Sequence, residues 1–301
     1  MKALVFGGSG FIGSHVADCL TNRGFEVTIY DRTESAYRQP SQKMIVGNVR
    51  DLAAIRKAVA GQDYVLNFAG IAGLPEAKAQ AITATEANIL GNLTVLEALK
   101  DEPPKCYVFA STYYVYSDAG SIYRVTKQSC ELFIEEYSRQ YGIPFAILRY
   151  GSVYGPRAGR ANAIYRFLRE AVEFGRITRK GRGEDQREYI NVLDAAEATC
   201  DIMVKEKFNN RHVIIAGQQR IKVDDLFTMI NEMMGRKLSI TYAPAESNDH
   251  GHYVMTPYSF KPQLAVRYTT ECHHDLGQGL LQLMQEIHDS LDEKGHESVR
   301  G

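Results

Sequence analysis

Seven residues near the amino terminus, Gly7-Gly8-Ser9-Gly10-Phe11-Ile12-Gly13, restrict what this chain can fold into more than any other feature. They follow a short apolar run, Lys2–Phe6, and lead into Ile12, Val16 and Leu20 at helical spacing, so the segment reads as strand, tight turn and helix. Gly7, Gly10 and Gly13 fit a Gly-x-x-Gly-x-x-Gly pattern: the first permits the turn, the second lets backbone approach a pyrophosphate, and the third lets the helix pack closely. Glycine turns of this kind also occur with no ligand. Here the next β-rich run, Glu26–Tyr30, ends at Asp31-Arg32, which completes a βαβ unit with a carboxylate at its tip. Asp31 can accept hydrogen bonds from both hydroxyls of a ribose and repels a 2′-phosphate, which favours NAD over NADP. Arg32 is a counter-signal, because a guanidinium can pair with that phosphate.

The alternation continues. Strands are expected at Met44–Val46, Tyr64–Phe68, Cys106–Ala110, Phe145–Arg149 and His212–Ala216, with helices at Leu52–Ala60, Thr83–Lys100, Arg124–Tyr141 and Val192–Lys205. Right-handed crossovers between such strands generate an α/β, Rossmann-like doubly wound parallel sheet. Residues 157–183 and 218–293 break the pattern. They are expected to form a smaller carboxy-terminal substrate-binding lobe, leaving 1–156 and 184–217 as the dinucleotide-binding domain and 294–301 as a frayed tail.

Composition narrows the function classes. With 35 basic against 36 acidic residues and no basic block, the chain has no signature of gripping nucleic acid or an anionic membrane. No apolar stretch approaches the roughly 20 residues needed to cross a bilayer, and the amino terminus lacks the zones of an export signal. Five scattered cysteines, without Cys-x-x-Cys, suit reduced thiols in a cytoplasmic protein. His250-x-His252 and His273-His274 lack partners at ligand spacing, so no metal is expected.

Further motifs carry a resemblance. Asn67-Phe68-Ala69-Gly70 after a strand, Asn88-Ile89-Leu90-Gly91, Ser111-Thr112, Val115-Tyr116, Tyr123-x-x-x-Lys127, Leu148–Arg157 and Arg187–Val192 stand in this order behind the glycine cluster. Together they resemble the extended short-chain dehydrogenase/reductase family, in its nucleotide-sugar epimerase/dehydratase branch, from Lys2 to about Ala198. The resemblance implies NAD contacts from Gly7, Gly10, Phe11, Ile12, Gly13, Asp31, Arg32, Phe68, Ala69, Gly70, Asn88, Ser111, Tyr123, Lys127 and Tyr150. Asn48 and Val49 would lie in the adenine-contacting segment, where the family more often has Asp at the place of Asn48.

By the same resemblance Thr112, Tyr123 and Lys127 are the catalytic residues. Tyr123 and Lys127 are four apart on a helix and so share one face. For Tyr123 to act as a base near neutrality its phenol must fall about 3 units from its ordinary value near 10, and a neighbouring ammonium and a positive nicotinamide ring are expected to supply that. The 4,6-dehydratases of the family carry an Asp-Glu acid/base pair where this chain has Tyr113-Tyr114, and the decarboxylating relatives place a Glu near this strand. What remains is reversible oxidation at one sugar carbon. Ten residues separate Thr112 from Tyr123, fewer than is usual in these enzymes, which trims the rim of the site and leaves room for a large or unusual sugar.

The resemblance further implies sugar-nucleotide contacts from Thr112, Tyr113, Ser152, Asn162 and Arg187. Arg187 is the diphosphate ligand of choice unless it pairs with Glu184 or Glu188, and Ser152 stands where the family usually has Asn. Arg157, Arg160, Arg166 and Lys261 read as solvated charges. A homodimer built from the Thr83–Lys100 and Arg124–Tyr141 helices is implied. The expectation is an NAD-dependent epimerase acting at C4 of an NDP-hexose, most readily a UDP-sugar. A dehydrogenase or 4-keto-sugar reductase, and a non-catalytic dinucleotide-binding regulator, remain as alternatives.

Overall fold

The computed structural model describes residues 1–116, 120–181, 183–235, 237–243, 265–271 and 274–297. Its strands are β1 (Lys2–Phe6), β2 (Glu26–Asp31), β3 (Lys43–Val46), β4 (Tyr64–Asn67), β5 (Cys106–Thr112), β6 (Phe145–Tyr150), β7 (Ser152–Tyr154), β8 (Arg176–Lys180), β9 (Gln186–Asn191), β10 (Arg211–Ile215), β11 (Arg220–Lys222), β12 (Ser239–Ala243) and β13 (Ala265–Arg267). Its α-helices are α1 (Phe11–Asn22), α2 (Leu52–Val59), α3 (Leu74–Ala79), α4 (Ala81–Thr85), α5 (Gly91–Leu99), α6 (Ser121–Tyr141), α7 (Ala163–Phe174), α8 (Val192–Val204), α9 (Val223–Met233) and α10 (Leu276–Glu297). A π-helical stretch, Glu86–Leu90, joins α4 to α5.

Eight strands form one sheet in the order β13-β10-β6-β5-β4-β1-β2-β3, and every pairing in it is parallel. Such a sheet needs cover on both faces, and the period-two alternation of its strands provides two apolar surfaces. Ala3 and Val5 of β1 pack on the side of α1 and α8, with Val16, Leu20, Ala195 and Ile202. Leu4 and Phe6 pack on the other side, with Ile55 of α2, Val95 and Leu96 of α5 and Ile134 of α6. The strand order reverses between β1 and β4, the switch point at which sheets of this kind hold a ligand beyond their carboxyl ends.

The remaining strands make two small sheets, β11-β9-β7 and β12-β8. Beside them α7, α9 and α10 share a separate core of Phe167, Leu168, Phe227, Ile230, Leu280 and Leu283. None of β7, β8, β9, β11, β12 and β13 is anticipated by the sequence pattern. They are short, and several carry few buried residues, so they show no apolar run. At the other end α10 continues to Glu297, past Lys294, where the sequence reads as a frayed tail. Among the described residues no helix is long and apolar enough to cross a membrane.

Candidate active site

The carboxyl end of β1 turns at Gly7, whose φ is +74° and where a Cβ would lie 2.6 Å from the Phe68–Ala69 backbone. Gly13 is packed as tightly, since a Cβ there would come within 2.3 Å of the Gly7 carbonyl oxygen. Any side chain at either position would push α1 and the 68–70 turn off the strand ends. The start of α1 has no side-chain cap, and Gly10 precedes its first turn in extended conformation. Its free backbone N–H groups and the positive end of the helix dipole therefore face the switch point, a setting suited to a pyrophosphate. Asp31 ends β2 beside it, its carboxylate accepting from the Ser9 N–H at 3.0 Å, while Arg32 is exposed. These residues fit a dinucleotide.

The 67–71 turn is built from below. Asn67 accepts from the Ala69 N–H at 3.1 Å and donates to the Tyr107 hydroxyl at 2.9 Å, which donates in turn to Asn92 at 2.7 Å. Asn88, from the π-helical stretch, accepts from Ile71 N–H at 2.7 Å and donates to the Ile71 carbonyl and to Thr126. Its amide thus ties Ile71 to Thr126, so Asn88 braces the turn at which a cofactor contact is expected. Two more of the expected cofactor residues turn their polar atoms elsewhere. The Ser111 hydroxyl donates to the buried Glu131 carboxylate, and the Tyr150 hydroxyl pairs with Thr199 of α8 at 2.6 Å. Asn48 caps its own turn through Arg50 N–H, Val49 packs against Gly91, and Phe68 lies tilted against Tyr150.

Thr112 ends β5, and Tyr123 sits in the first turn of α6, which starts three residues earlier than the sequence pattern suggests. The helix brings the Tyr123 phenol beside the Thr112 side chain. Lys127, one turn on, is 5% exposed, donates to the Ala110 carbonyl at 2.6 Å and stands 4.6 Å above the Phe109 ring. The three expected catalytic residues are therefore together. The ionisation expected of Tyr123 calls for two positive charges, and Lys127 is the one the chain itself supplies. Burial pushes the Tyr123 phenol up and nearby Tyr114 adds to this, outweighing the lowering influence of Thr112. Burial also lowers Lys127 to about 8, against the opposing influence of Cys130 and Glu131. The ammonium lies 5.8 Å from the Tyr123 ring centre and is bonded to Ala110 rather than to the phenol. The desolvation of a phenolate therefore wins, and a further positive charge beside Tyr123 is needed before it can accept a proton.

The two residues after Thr112 diverge. The Tyr114 N–H caps the Thr112 hydroxyl at 3.2 Å, and its phenol lies within electrostatic reach of both Tyr123 and Tyr189. Tyr113, the expected sugar contact, turns instead towards Tyr116 and towards Glu188, Arg220 and Arg267. Nothing in the string Tyr-Tyr says that the two rings take different neighbours.

Arg187 is half-buried on β9, its guanidinium donating to Gln186 O, and it acts on Tyr189. Glu188 belongs to other arginines, Arg220 at 3.2 Å and Arg267 at 3.6 Å. Asn162 caps α7 through Tyr165 N–H and donates to the Val153 carbonyl at 2.8 Å, which occupies its amide with local structure. Ser152 lies on β7 opposite Tyr189. Arg157 is no free charge: it pairs with Asp18 at 2.7 Å and covers the Tyr37 ring. Lys261, His250, His252 and His273 lie outside the described residues, and His274 is tied to Asp194 at 2.6 Å. Among the described residues no group of three or more His, Cys, Asp or Glu could hold a metal ion.

One buried cluster escapes sequence reading altogether. Arg149, fully buried in β6, makes two bonds to Glu131 of α6, at 3.1 and 2.6 Å, and a third to the Tyr116 hydroxyl at 2.7 Å. His212 approaches the same carboxylate at 3.7 Å and Glu135 at 3.0 Å.

Known proteins share this architecture. Residues 3–216 match the model of the NAD dependent epimerase/dehydratase family. The UDP-N-acetyl-alpha-D-glucosaminuronate decarboxylase of Bacillus cytotoxicus is 30% identical, over 81% of this chain and 84% of that one. A putative UDP-glucose 4-epimerase of Methanocaldococcus jannaschii is 28% identical, over 77% and 82%. The crystal structure of the Thermotoga maritima UDP-glucose 4-epimerase with UDP-glucose superposes with a TM-score of 0.81 at 25% identity, covering 97% of this chain and all (100%) of that one. With the glycine turn at the switch point and Thr112, Tyr123 and Lys127 gathered beyond it, the chain belongs to the NAD-dependent epimerase/dehydratase family and is an enzyme of the extended short-chain dehydrogenase/reductase type.

Proposed function

We propose that this enzyme is an NAD-dependent 4-epimerase of a nucleotide-linked hexose, with a UDP-sugar as substrate. The observation that carries the reading is Tyr123 set beside Thr112 and buried Lys127, with phenols at 113 and 114 where eliminating relatives need carboxylates. Tyr123 takes the proton of the C4 hydroxyl while Thr112 orients that oxygen, and it returns the proton to the ketone oxygen once the ring has turned. Bound NAD supplies a reversible hydride acceptor, with a positive ring that offsets the burial of the phenolate. Arg187 is the group on the lobe side suited to the diphosphate.

A second reading, decarboxylation of a uronic acid, is favoured by the Bacillus cytotoxicus relative. Against it, the buried carboxylate nearest β5 is Glu131, and this is committed to Arg149 and Ser111. The test is to incubate UDP-glucose, UDP-galactose and UDP-glucuronate with the purified protein and trace NAD, and to follow products by NMR. Epimer formation without net NADH supports the first reading, stoichiometric NADH a dehydrogenase, and released carbon dioxide the second reading. We also propose a cytoplasmic homodimer. Its support is the set of exposed apolar side chains on the α4 to α6 surface, with Ile82 79%, Leu90 47%, Val125 45% and Leu132 54% exposed, which sedimentation would test.

A further inference from the structure

We propose that Tyr114 is the specificity-determining wall of the sugar site, its ring limiting how large a substituent the bound hexose can carry. The inference rests on the epimerase-type reading of the site and deepens it.

Four observations place the residue. Its N–H bonds Thr112 Oγ1 at 3.2 Å, so its position is referenced directly to the group that orients the reacting oxygen. Its phenol is within electrostatic reach of both Tyr123 and Tyr189. Arg187, the diphosphate candidate, acts on that same Tyr189. A sugar whose C4 oxygen reaches Thr112 and Tyr123, and whose diphosphate reaches Arg187, therefore passes along the Tyr114 ring. Finally, Gly120 has φ +102°, and a Cβ there would lie 3.0 Å from Tyr114 Cβ and Cγ and 2.9 Å from Arg124 Cβ. The backbone that enters α6 thus passes close to the root of Tyr114, and any side chain at position 120 would have to displace it.

This alters the consequence of the short connection between Thr112 and Tyr123. A short connection leaves less main chain for the rim, and beside Thr112 the chain supplies an aromatic side chain of large volume. Space taken from the main chain is returned to a ring. A phenol also presents an apolar face to the C–H face of a pyranose and one hydroxyl to its substituents, and cannot serve as the carboxylate base of an elimination at pH 7. Tyr114 thus selects by shape and leaves proton transfer to Tyr123.

The test separates size from chemistry with two variants, Tyr114→Phe and Tyr114→Ala, read by calorimetry of UDP, UDP-glucose and UDP-N-acetylglucosamine on the NAD-loaded protein, and by kcat and KM where turnover is found. UDP affinity is expected to stay within about threefold in both variants. Tyr114→Phe keeps the wild-type preference between the two sugars and keeps kcat within a few-fold. Tyr114→Ala shifts the preference towards the N-acetylated sugar by about tenfold or more, through binding and KM. Equal preference in wild type and Tyr114→Ala overturns the proposal, as does a loss of kcat in Tyr114→Phe as deep as that of Tyr123→Phe, which makes Tyr114 a proton-transfer group. Failure of the wild type to bind any of the three ligands instead removes the epimerase-type reading itself. Circular dichroism of each variant confirms that the comparison is between folded proteins.

Discussion

Two cations are buried against the same pair of strands, and they are held in opposite ways. Arg149 of β6 is fully enclosed and meets Glu131 through two guanidinium nitrogens, so that burial, which opposes its charge, is outweighed by those bonds and its pKa is raised. Lys127 of α6 is almost as deeply enclosed, but its near bonds are to a carbonyl oxygen and an aromatic face, and burial brings it down to about 8. Glu131 sits one turn beyond Lys127 on the same helix and could have served it, yet its carboxylate is taken by Arg149, Ser111 and the approach of His212. The fold commits the buried carboxylate beside these strands to the structural cation and leaves the other close to titration. A charge left without a full partner costs stability, and such unrelieved cost concentrates at functional sites.

The largest effect expected from breaking this contrast is on turnover. Tyr123→Phe removes the group placed to move the proton, and Lys127→Met removes the ammonium beneath it. Each should lower kcat by roughly 10²- to 10⁴-fold, measured with whichever UDP-sugar the wild type converts. A Lys127→Met enzyme retaining wild-type kcat would remove this residue from the catalytic set.

Next in size is the loss of the paired carboxylate. Glu131→Gln leaves the Arg149 guanidinium buried without a counter-charge, which should destabilise the fold by about 3–5 kcal/mol in denaturant titration. Replacing both partners with Met should recover most of that loss, because the remaining cost is then of packing and not of charge. If the single and double variants were equally unstable, the pair would matter for its shape alone.

Lys127→Met should act on stability in the reverse direction. In the unfolded chain the lysine has its ordinary value near 10.4, whereas in the folded protein it is about 8. Between these values the unfolded state binds the additional proton, so wild-type stability should rise with pH from about 8 to about 10. Below about pH 8 the whole penalty is present, about 3 kcal/mol at most. Lys127→Met is therefore expected to be the more stable protein at pH 7 and to lose that advantage by pH 10.5, as unfolding at the two pH values would reveal. A gain of the same size at both would mean that improved packing, and not a relieved charge, is responsible.

The sequence makes one of these two cations visible and hides the other, for a physical reason. Tyr123 and Lys127 are four residues apart on one helix, and their relation to the glycine turn follows from strand order, so spacing alone brings them together. Glu131 and Arg149 come from different elements, and in the string each reads as ordinary: a helix-surface acid and a polar end to an apolar strand. The alternating apolar runs made the central sheet readable, because parallel strands buried on both faces leave a strong signal. The small sheets did not, because β8, β11 and β12 are held by neighbours rather than by their own apolar content. The electrostatics of Tyr123 are hidden on a similar point: spacing reveals that an ammonium is near, but not that it is turned to Ala110 or how dry the phenol is.

The smallest expected effect addresses Ser111, which the family resemblance assigns to the cofactor and the geometry assigns to the ion pair. Its hydroxyl donates to the Glu131 carboxylate, and hydrogen bonds to charged groups contribute about 1.5–3 kcal/mol. Ser111→Ala removes one of several donors around that carboxylate and leaves Arg149 in place, so its cost should lie at the lower end of that range. NAD affinity by fluorescence titration should change by less than about twofold, since the hydroxyl faces α6 and not the switch point between β1 and β4. The opposite outcome, unchanged unfolding with NAD binding weakened tenfold, would return Ser111 to the cofactor and leave Glu131 to be held by Arg149 and His212. The two readings thus differ in which measurement moves, and a single methyl-sized substitution at the end of β5 decides whether the structural cation's network stops at the strand or reaches the cofactor.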